Sequence, residues 1–146
     1  MNQELVLKIV KTHKDAKIPK KAHSSDMCWD LFALEEVIIF PGKTVMVSTG
    51  ICLGIPKGYD MKIREKSGLA SKGIHIHGGC IDQNYTGEIK VLMYNADIDL
   101  DASNFDLRDM VHNVNDYSFS LKAGQKIAQI KLEKKCDEFV SLEVVD

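Results

Sequence analysis

The chain has 146 residues and a formal net charge of −2. This fits one domain, residues 1–146, and favours neither nucleic acid nor an anionic membrane as a partner. No apolar stretch approaches the ~20 residues that a membrane helix needs, and the N-terminus lacks the plan of a signal peptide. The four widely spaced cysteines predict reduced, mostly buried thiols, and therefore a cytoplasmic protein.

Alternation of apolar and polar residues dominates the chain and predicts short β-strands. In chain order they are 5–10, 36–40, 44–55, 59–64, 74–77, 88–94, 117–121, 126–132 and 139–145. Turn sequences such as FPGK and KAGQ separate them. No segment carries a sustained helical stripe. The pattern indicates an all-β, jelly-roll-like barrel with at most one or two short helical turns.

Residues 96–116 interrupt this pattern with an acidic insertion between two predicted strands. We expect a helical turn near 103–111. The insertion opens with Asp-x-Asp-x-Asp, which is typical of a calcium-binding loop. However, Ala102 occupies the position of the required glycine, and Arg108 occupies the position of the bidentate carboxylate. A solvated surface loop is the preferred interpretation.

His75 and His77 alternate on a predicted strand, so both should point to one face, with Cys80 nearby. Zinc needs three or four protein ligands, and no further ligand stands at motif spacing. A polar strand face is therefore preferred over a zinc site.

The segment REKSGLASKG, residues 64–73, is a candidate phosphate site. Ser67 and Gly68 precede a possible helical turn whose free N–H groups could bind phosphate, and Arg64 and Lys66 add positive charge. A capped turn with solvated lysines is the alternative.

The segment GGCIDQNYTGEI, residues 78–89, predicts a glycine-rich hairpin that lets a ligand approach the backbone. Asp82 could be a general base and Tyr85 a stacking platform, or the pair could form an Asx-turn with a packing tyrosine. Asp30 lies between Trp29 and Leu31, so it is either a buried structural acid or a functional one.

Taken in order, these segments resemble the motifs of the trimeric dUTPase family, from about residue 22 to residue 132. DMCWDLFAL resembles the first motif with Asp30 as its acid, KSGLASKGI the second, GGCIDQNYTGEI the third and GQKIAQI the fourth. Lys66 stands where the second motif usually has arginine. The acidic insertion is longer than the usual connection, and the C-terminal fifth motif has no counterpart.

The resemblance implies hydrolysis of dUTP to dUMP and pyrophosphate, with Mg²⁺ as the cofactor and a homotrimer that shares sites between subunits. Asp82 would deprotonate the attacking water, and Tyr85 would lie under the deoxyribose and exclude a 2′-hydroxyl. The further site residues that the resemblance implies are Gly79 and Ile81 at the uracil, Arg64, Lys66, Ser67, Gly68 and Gln129 at the phosphates, and Asp30 at the metal through water.

Two alternatives remain open. A dCTP deaminase of the same fold would need a catalytic glutamate poised to assist attack at C4, and Glu88 does not obviously match that role. A nucleotide-sensing regulatory protein is suggested by the missing fifth motif and the acidic insertion.

Overall fold

A computed structural model describes residues 5–97, 117–135 and 143, and these residues form an all-β fold. The strands are β1 Lys8–Lys11, β2 Trp29–Phe32, β3 Val37–Ile39, β4 Thr44–Gly54, β5 Tyr59–Arg64, β6 Ile74–His77, β7 Cys80–Ile81, β8 Glu88–Asn95, β9 Phe119–Leu121 and β10 Lys126–Lys134. Within the described residues there is one helix, the single turn α1 Ser67–Ala70. The predicted fold class is confirmed.

The strands form two four-stranded antiparallel sheets and a two-stranded ribbon. The first sheet has the order β1-β4-β8-β6, the second β2-β10-β5-β7, and the ribbon pairs β3 with β9. Alternate residues of the long strands point inward: Ile89, Val91 and Met93 on β8 are at most 1% exposed. Period-two burial is what a strand with one face on a core requires, so the sequence pattern and the packing agree.

Asn95 is the polar exception in this buried row and is fully buried. Its side-chain amide nitrogen donates to the carbonyl oxygens of Ile39 and Tyr117, at 3.0 and 2.8 Å. Its side-chain oxygen accepts the Asp97 N–H. A buried amide is stable only when its hydrogen bonds are satisfied. Asn95 therefore ties the end of β8 to β3 and to Tyr117, two residues before β9.

Most predicted strands are confirmed, with boundaries that differ by a few residues. The sequence did not predict β2 and β7, which are short and lie next to polar turns. The predicted strand 139–145, apart from residue 143, lies outside the described residues, as does nearly all of the acidic insertion. The three described cysteines are free, but Cys28 and Cys52 are half-buried and Cys80 is exposed, so the prediction of buried thiols is wrong for them.

The predicted hairpin at 78–89 is wrong in its pairing. β7 pairs with β5 in the second sheet, whereas β8 pairs with β4 and β6 in the first. The loop 82–87 therefore crosses between sheets instead of closing a two-stranded ladder. The alternation of apolar and polar residues could not reveal this, because it specifies which face of a strand is buried and not which strand lies beside it.

Gly50 provides a test of this packing. Its φ is +69°, a Cβ at this position would lie 2.8 Å from the Ala16 Cβ, and it sits in an irregular stretch of the β4–β8 ladder. Gly58 has a φ of +81° but open space around it. We expect Gly58→Ala to cost about 1 kcal/mol of unfolding free energy from the left-handed backbone alone.

Gly50→Ala should cost a further ~1–3 kcal/mol, because the methyl group must also displace packed neighbours. Urea denaturation of both variants measures the difference. Equal losses for the two variants would show that the space around Gly50 is not restrictive.

Candidate active site

A cavity of about 360 Å³ opens between the two arms of the 78–95 segment. Its lining combines both sheets and consists of Met46, Ile63, His77, Gly78, Gly79, Cys80, Ile81, Asp82, Tyr85, Glu88, Ile89, Lys90 and Leu92. The size is typical of small-molecule pockets. β7 and β8 separate into different sheets, and this separation creates the opening. The pocket therefore exists because the two strands do not pair as a hairpin.

Two glycines give the cavity its shape. A Cβ on Gly79 would lie 2.8 Å from the Ile63 carbonyl oxygen, and the Gly79 φ of +100° is one that side-chain-bearing residues rarely adopt. A Cβ on Gly87 would lie 2.7 Å from the Tyr85 hydroxyl oxygen. That hydroxyl donates to the Glu88 carbonyl oxygen at 2.9 Å. The Tyr85 ring is thus held over Gly87 while remaining 47% exposed beside the cavity.

Asp82 follows β7 directly and is exposed at the cavity. The turn after it is closed by the Tyr85 N–H, which donates to the Asp82 carbonyl oxygen at 3.0 Å. The predicted residues Gly79, Ile81, Asp82 and Tyr85 therefore do come together in one place.

The remaining predicted residues form a second group on and beside strands β2, β10 and β5. Gln129 on β10 is paired across the ladder with Asp30 on β2 and with Arg64 on β5. Residues directly opposite each other on antiparallel strands share a face, so these three side chains form a row across three strands. None of this second group lines the cavity around Asp82.

Asp30 is buried, with 7% of its surface exposed, and each of its carboxylate oxygens faces a lysine. Lys66 Nζ lies 3.0 Å from Oδ1, and Lys126 Nζ lies 2.6 Å from Oδ2. Burial by itself would raise the pKa of Asp30. The hydrogen bonds and positive charges of Lys126 and Lys66 outweigh burial and lower the pKa below the usual value of 3.8.

Sequence reasoning missed Lys126. It stands where the fourth motif of the resembled family has arginine, so that motif could have pointed to it. Its face could not have been predicted, because Lys126 and Gln129 are three residues apart and would lie on opposite faces of a regular strand. The β10–β2 register shifts between Lys126 and Ala128. Such a bulge redirects a side chain, and here it lets both Lys126 and Gln129 share the face of Asp30.

Gln129 also organises the predicted phosphate segment. Its side-chain nitrogen donates to the Glu65 carbonyl oxygen at 2.7 Å, just before α1. The helical turn expected near Ser67 and Gly68 is confirmed and begins at Ser67 itself. Both residues are exposed. The segment 65–68, which leads into α1, is therefore held beside the lysine–aspartate cluster.

The zinc site, which the sequence did not favour, gains no support from the described residues. His75 and His77 both point outward on β6, as the alternation predicts. Throughout 5–97 and 117–135, no group of three or more His, Cys, Asp or Glu side chains could hold a metal ion. Within the same ranges no helix is long and apolar enough to cross a membrane.

Comparison with known proteins identifies the family. Residues 14–100 match the sequence model of the dUTPase family. A deoxyuridine 5′-triphosphate nucleotidohydrolase of Clostridioides difficile is 36% identical over 127 residues, which cover 85% of this chain and 76% of that protein. The enzyme of the same name from Helicobacter pylori strain Shi470 is 33% identical over 144 residues, 96% of this chain and 87% of that protein.

The chain belongs to the dUTPase family.

Solved dUTPase structures share the fold. A variant of the dUTPase from phage phi11 of S. aureus, described for its coordination of a structural Mg(II) ion, aligns with a TM-score of 0.77 at 22% identity and covers 97% of each chain. A variant of the Staphylococcus bacteriophage 80alpha dUTPase aligns with a TM-score of 0.78 at 24% identity, over 97% of this chain and 88% of that one.

Two further pocket residues of this dUTPase-family chain were not assigned a role from sequence. The Glu88 carboxylate accepts the Gly50 N–H at 2.9 Å and lies 3.7 Å from Lys90 Nζ. Cys80 Sγ lies 3.1 Å from Lys62 Nζ at the rim. Through its bond to Gly50, the Glu88 side chain satisfies a main-chain N–H where the β4–β8 ladder is irregular, so its role is structural.

The Asp30 cluster leads to a pH-dependent prediction for this dUTPase-family chain. A carboxylate whose pKa is lowered by folding stabilises the fold above its unfolded pKa, and this contribution is lost as pH falls through the folded pKa. We expect Asp30→Asn to cost about 1–3 kcal/mol of unfolding free energy near neutral pH, because two lysines lose their charged acceptor. The difference from the wild type should shrink once the pH falls below 3.8.

Urea denaturation over this pH range measures the effect. Asp97→Asn is the matched control, since Asp97 is exposed and forms no side-chain ion pair within the described residues. A constant difference between the wild type and Asp30→Asn at every pH would contradict the electrostatic origin.

Proposed function

We propose that this chain hydrolyses dUTP to dUMP and pyrophosphate. Membership of the dUTPase family supports the proposal, as do relatives at 33–36% identity that carry the name of this activity. The observation that carries it is the cavity with Asp82 at its wall and Tyr85 beside it.

We propose that the cavity holds the flat pyrimidine ring of the substrate. Ile63, Ile81, Ile89 and Leu92 supply apolar surface, and the 78–81 segment brings main-chain groups close to a ligand. Uracil offers two carbonyl oxygens and an N3–H donor, whereas cytosine presents the opposite pattern at N3 and C4. A site that must satisfy buried polar groups rejects such an analogue strongly. We propose that Gly79 and Ile81 contribute to this recognition, and that the Tyr85 ring supports the deoxyribose.

Asp82 is the proposed general base. It would take the proton of a water whose oxygen attacks the α-phosphorus, while the bond from this phosphorus to the bridging oxygen breaks and pyrophosphate leaves. An exposed carboxylate is a weak base. Positioning and charge neutralisation, however, account for most of the catalysis in phosphoryl transfer.

The triphosphate of the substrate would contact the second group of residues, those on and beside β2, β5 and β10. Lys66 and Lys126 present two ammonium groups around Asp30, and Arg64 is exposed in the same row. Ser67, Gly68 and Gln129 are proposed as further contacts. Among residues 5–97 and 117–135, Arg64 is the only arginine, so it is the candidate for bidentate contact with phosphate oxygens.

Mg²⁺ is the proposed cofactor. This ion keeps several waters and is commonly held by one or two carboxylates together with substrate phosphates. An ion held mainly by the triphosphate fits the residues present, with Asp30 acting through water because both of its oxygens already accept from lysines. When bound, the ion would offset negative charge on the phosphate oxygens.

A homotrimer with shared sites is also proposed. Its support is the separation of the two groups within one chain, because the Asp82 cavity has no lysine or arginine from the Asp30 row in its lining. A triphosphate in the cavity of one subunit could reach the lysines of another. The free thiols of Cys28, Cys52 and Cys80 support a reducing, cytoplasmic location.

The deaminase alternative is disfavoured. Its catalytic glutamate would have to reach C4 of the cytosine ring. The Glu88 carboxylate instead accepts the Gly50 N–H and forms an ion pair with Lys90.

The general-base assignment has a direct test. Asp82→Asn keeps the shape of the side chain and removes the proton acceptor, so dUTP turnover should fall ~10²–10⁴-fold. Pyrophosphate release from dUTP, dCTP, dTTP and UTP measures both rate and selectivity, and the wild type should prefer dUTP. Asp97→Asn is the control and should leave turnover intact. Turnover by Asp82→Asn close to that of the wild type would refute the base assignment.

Shared sites predict complementation between inactive chains. Asp82→Asn removes the proposed base at the cavity, and Lys66→Met removes a proposed phosphate contact. Each variant alone should therefore turn over dUTP poorly. Refolded together in equal amounts, they should form mixed trimers in which about a quarter of the sites combine two intact halves.

The matched control pairs Asp82→Asn with Gly79→Ala, since both changes damage the cavity and no site in the mixture can then combine two intact halves. Activity that stays low in the first mixture would contradict a site shared between subunits.

A further inference from the structure

The position of Asp82 depends on its main chain. Among residues 5–97 and 117–135, no partner is found that holds its carboxylate by a hydrogen bond or an ion pair, and the residue is exposed. A general base must nevertheless be held within a fraction of an ångström of its working position. The restraint therefore has to come from the backbone that follows β7.

Gln83, the next residue, is held twice. Its backbone N–H donates to Asp60 Oδ1 at 3.0 Å. Its side-chain Oε1 accepts the Gly58 N–H at 2.9 Å. Both partners belong to the turn before β5 and to the start of that strand, so the loop 82–87 is fastened to the second sheet immediately after Asp82.

Lys135 completes a closed set of contacts. Its backbone N–H donates to the Gly58 carbonyl oxygen at 2.8 Å, and its Nζ lies 3.4 Å from Asp60 Oδ1. We name Gly58, Asp60, Gln83 and Lys135 the Asp60 ring. Asp60 and Lys135 are both mostly shielded, with side chains 23% and 27% exposed. A hydrogen bond to an ionised acceptor is stronger than a neutral one, so Asp60 is the strongest point of this ring.

We propose that Asp60 is a positioning residue for the hydrolysis of dUTP, which fixes the Asp82 carboxylate through the Gln83 N–H. The inference rests on the proposed function. Asp60 is not among the residues that line the cavity, so it acts through Gln83 and not by touching the nucleotide. Without it, the Asp82–Gln83 peptide is free to tilt, and the base no longer meets the attacking water in the right orientation.

The experiment compares Asp60→Ala with Asp60→Asn in the full chain. Asparagine keeps an Oδ1 acceptor for the Gln83 N–H, whereas alanine removes it. We expect Asp60→Ala to lower kcat for dUTP by up to ~10²-fold, the cost of misplacing a reacting group by about 1 Å. Asp60→Asn should restore most of kcat. KM for dUTP and the dissociation constant of dUMP should change far less, because the cavity walls remain.

Gln83→Ala and His13→Ala form a matched pair. His13 Nδ1 accepts the Asp15 N–H at 3.2 Å, so it is also a side-chain acceptor for a main-chain N–H, and it lies outside the four motifs. Gln83→Ala should lower kcat, and His13→Ala should not. In a double-mutant cycle, Asp60→Ala and Gln83→Ala should be less than additive in kcat, because each loosens the same loop.

The outcomes separate the two proposals. A wild type that releases no pyrophosphate from dUTP overturns the proposed function. An active wild type whose kcat is unchanged in Asp60→Ala overturns the positioning role. Asp60→Ala that loses dUMP binding and thermal stability along with kcat, without rescue in Asp60→Asn, also overturns it and makes Asp60 a purely structural residue.

Discussion

The double pairing of β10 is the constraint on which the rest of this structure depends. One edge of β10 pairs with β2 and the other edge pairs with β5, so three segments that are distant in sequence become neighbours. Antiparallel register then aligns Asp30, Gln129 and Arg64 in one row. The bulge near Lys126 brings one more cation to that row. The composition of the proposed phosphate-binding residues is thus a consequence of strand register.

The cavity arises from a different event, the division of the 78–95 segment between two sheets. β7 joins the second sheet and β8 joins the first, and the space between them is walled by residues from both. Gly79 permits the close approach to β5, and Gly87 makes room for Tyr85. The loop that crosses the gap carries Asp82, and the Asp60 ring fastens this loop to the sheet.

Positions 66 and 126 carry lysine where the motifs of the family have arginine. This changes how the proposed phosphate-binding residues can contact a phosphate. An ammonium is a compact point charge, whereas a guanidinium can hold two oxygens at once. Two like charges around Asp30 are stable because the buried carboxylate contacts both. The same contacts lower the pKa of Asp30, which keeps it charged and keeps both lysines in place. Under the proposed function, directional contacts to phosphate oxygens would come from Arg64 and from the segment before α1.

The sequence by itself determined the fold class, most strands and the identity of the candidate residues, since these depend on local periodicity and on motifs that survive in order. It also indicated the turn at Ser67. It did not determine the pairing of β7 and β8, the bulge that redirects Lys126, or the contacts of Asp60 with Gln83. Tertiary structure alone decided these, because each depends on which strands become neighbours, and periodicity specifies a strand's buried face but not its partner.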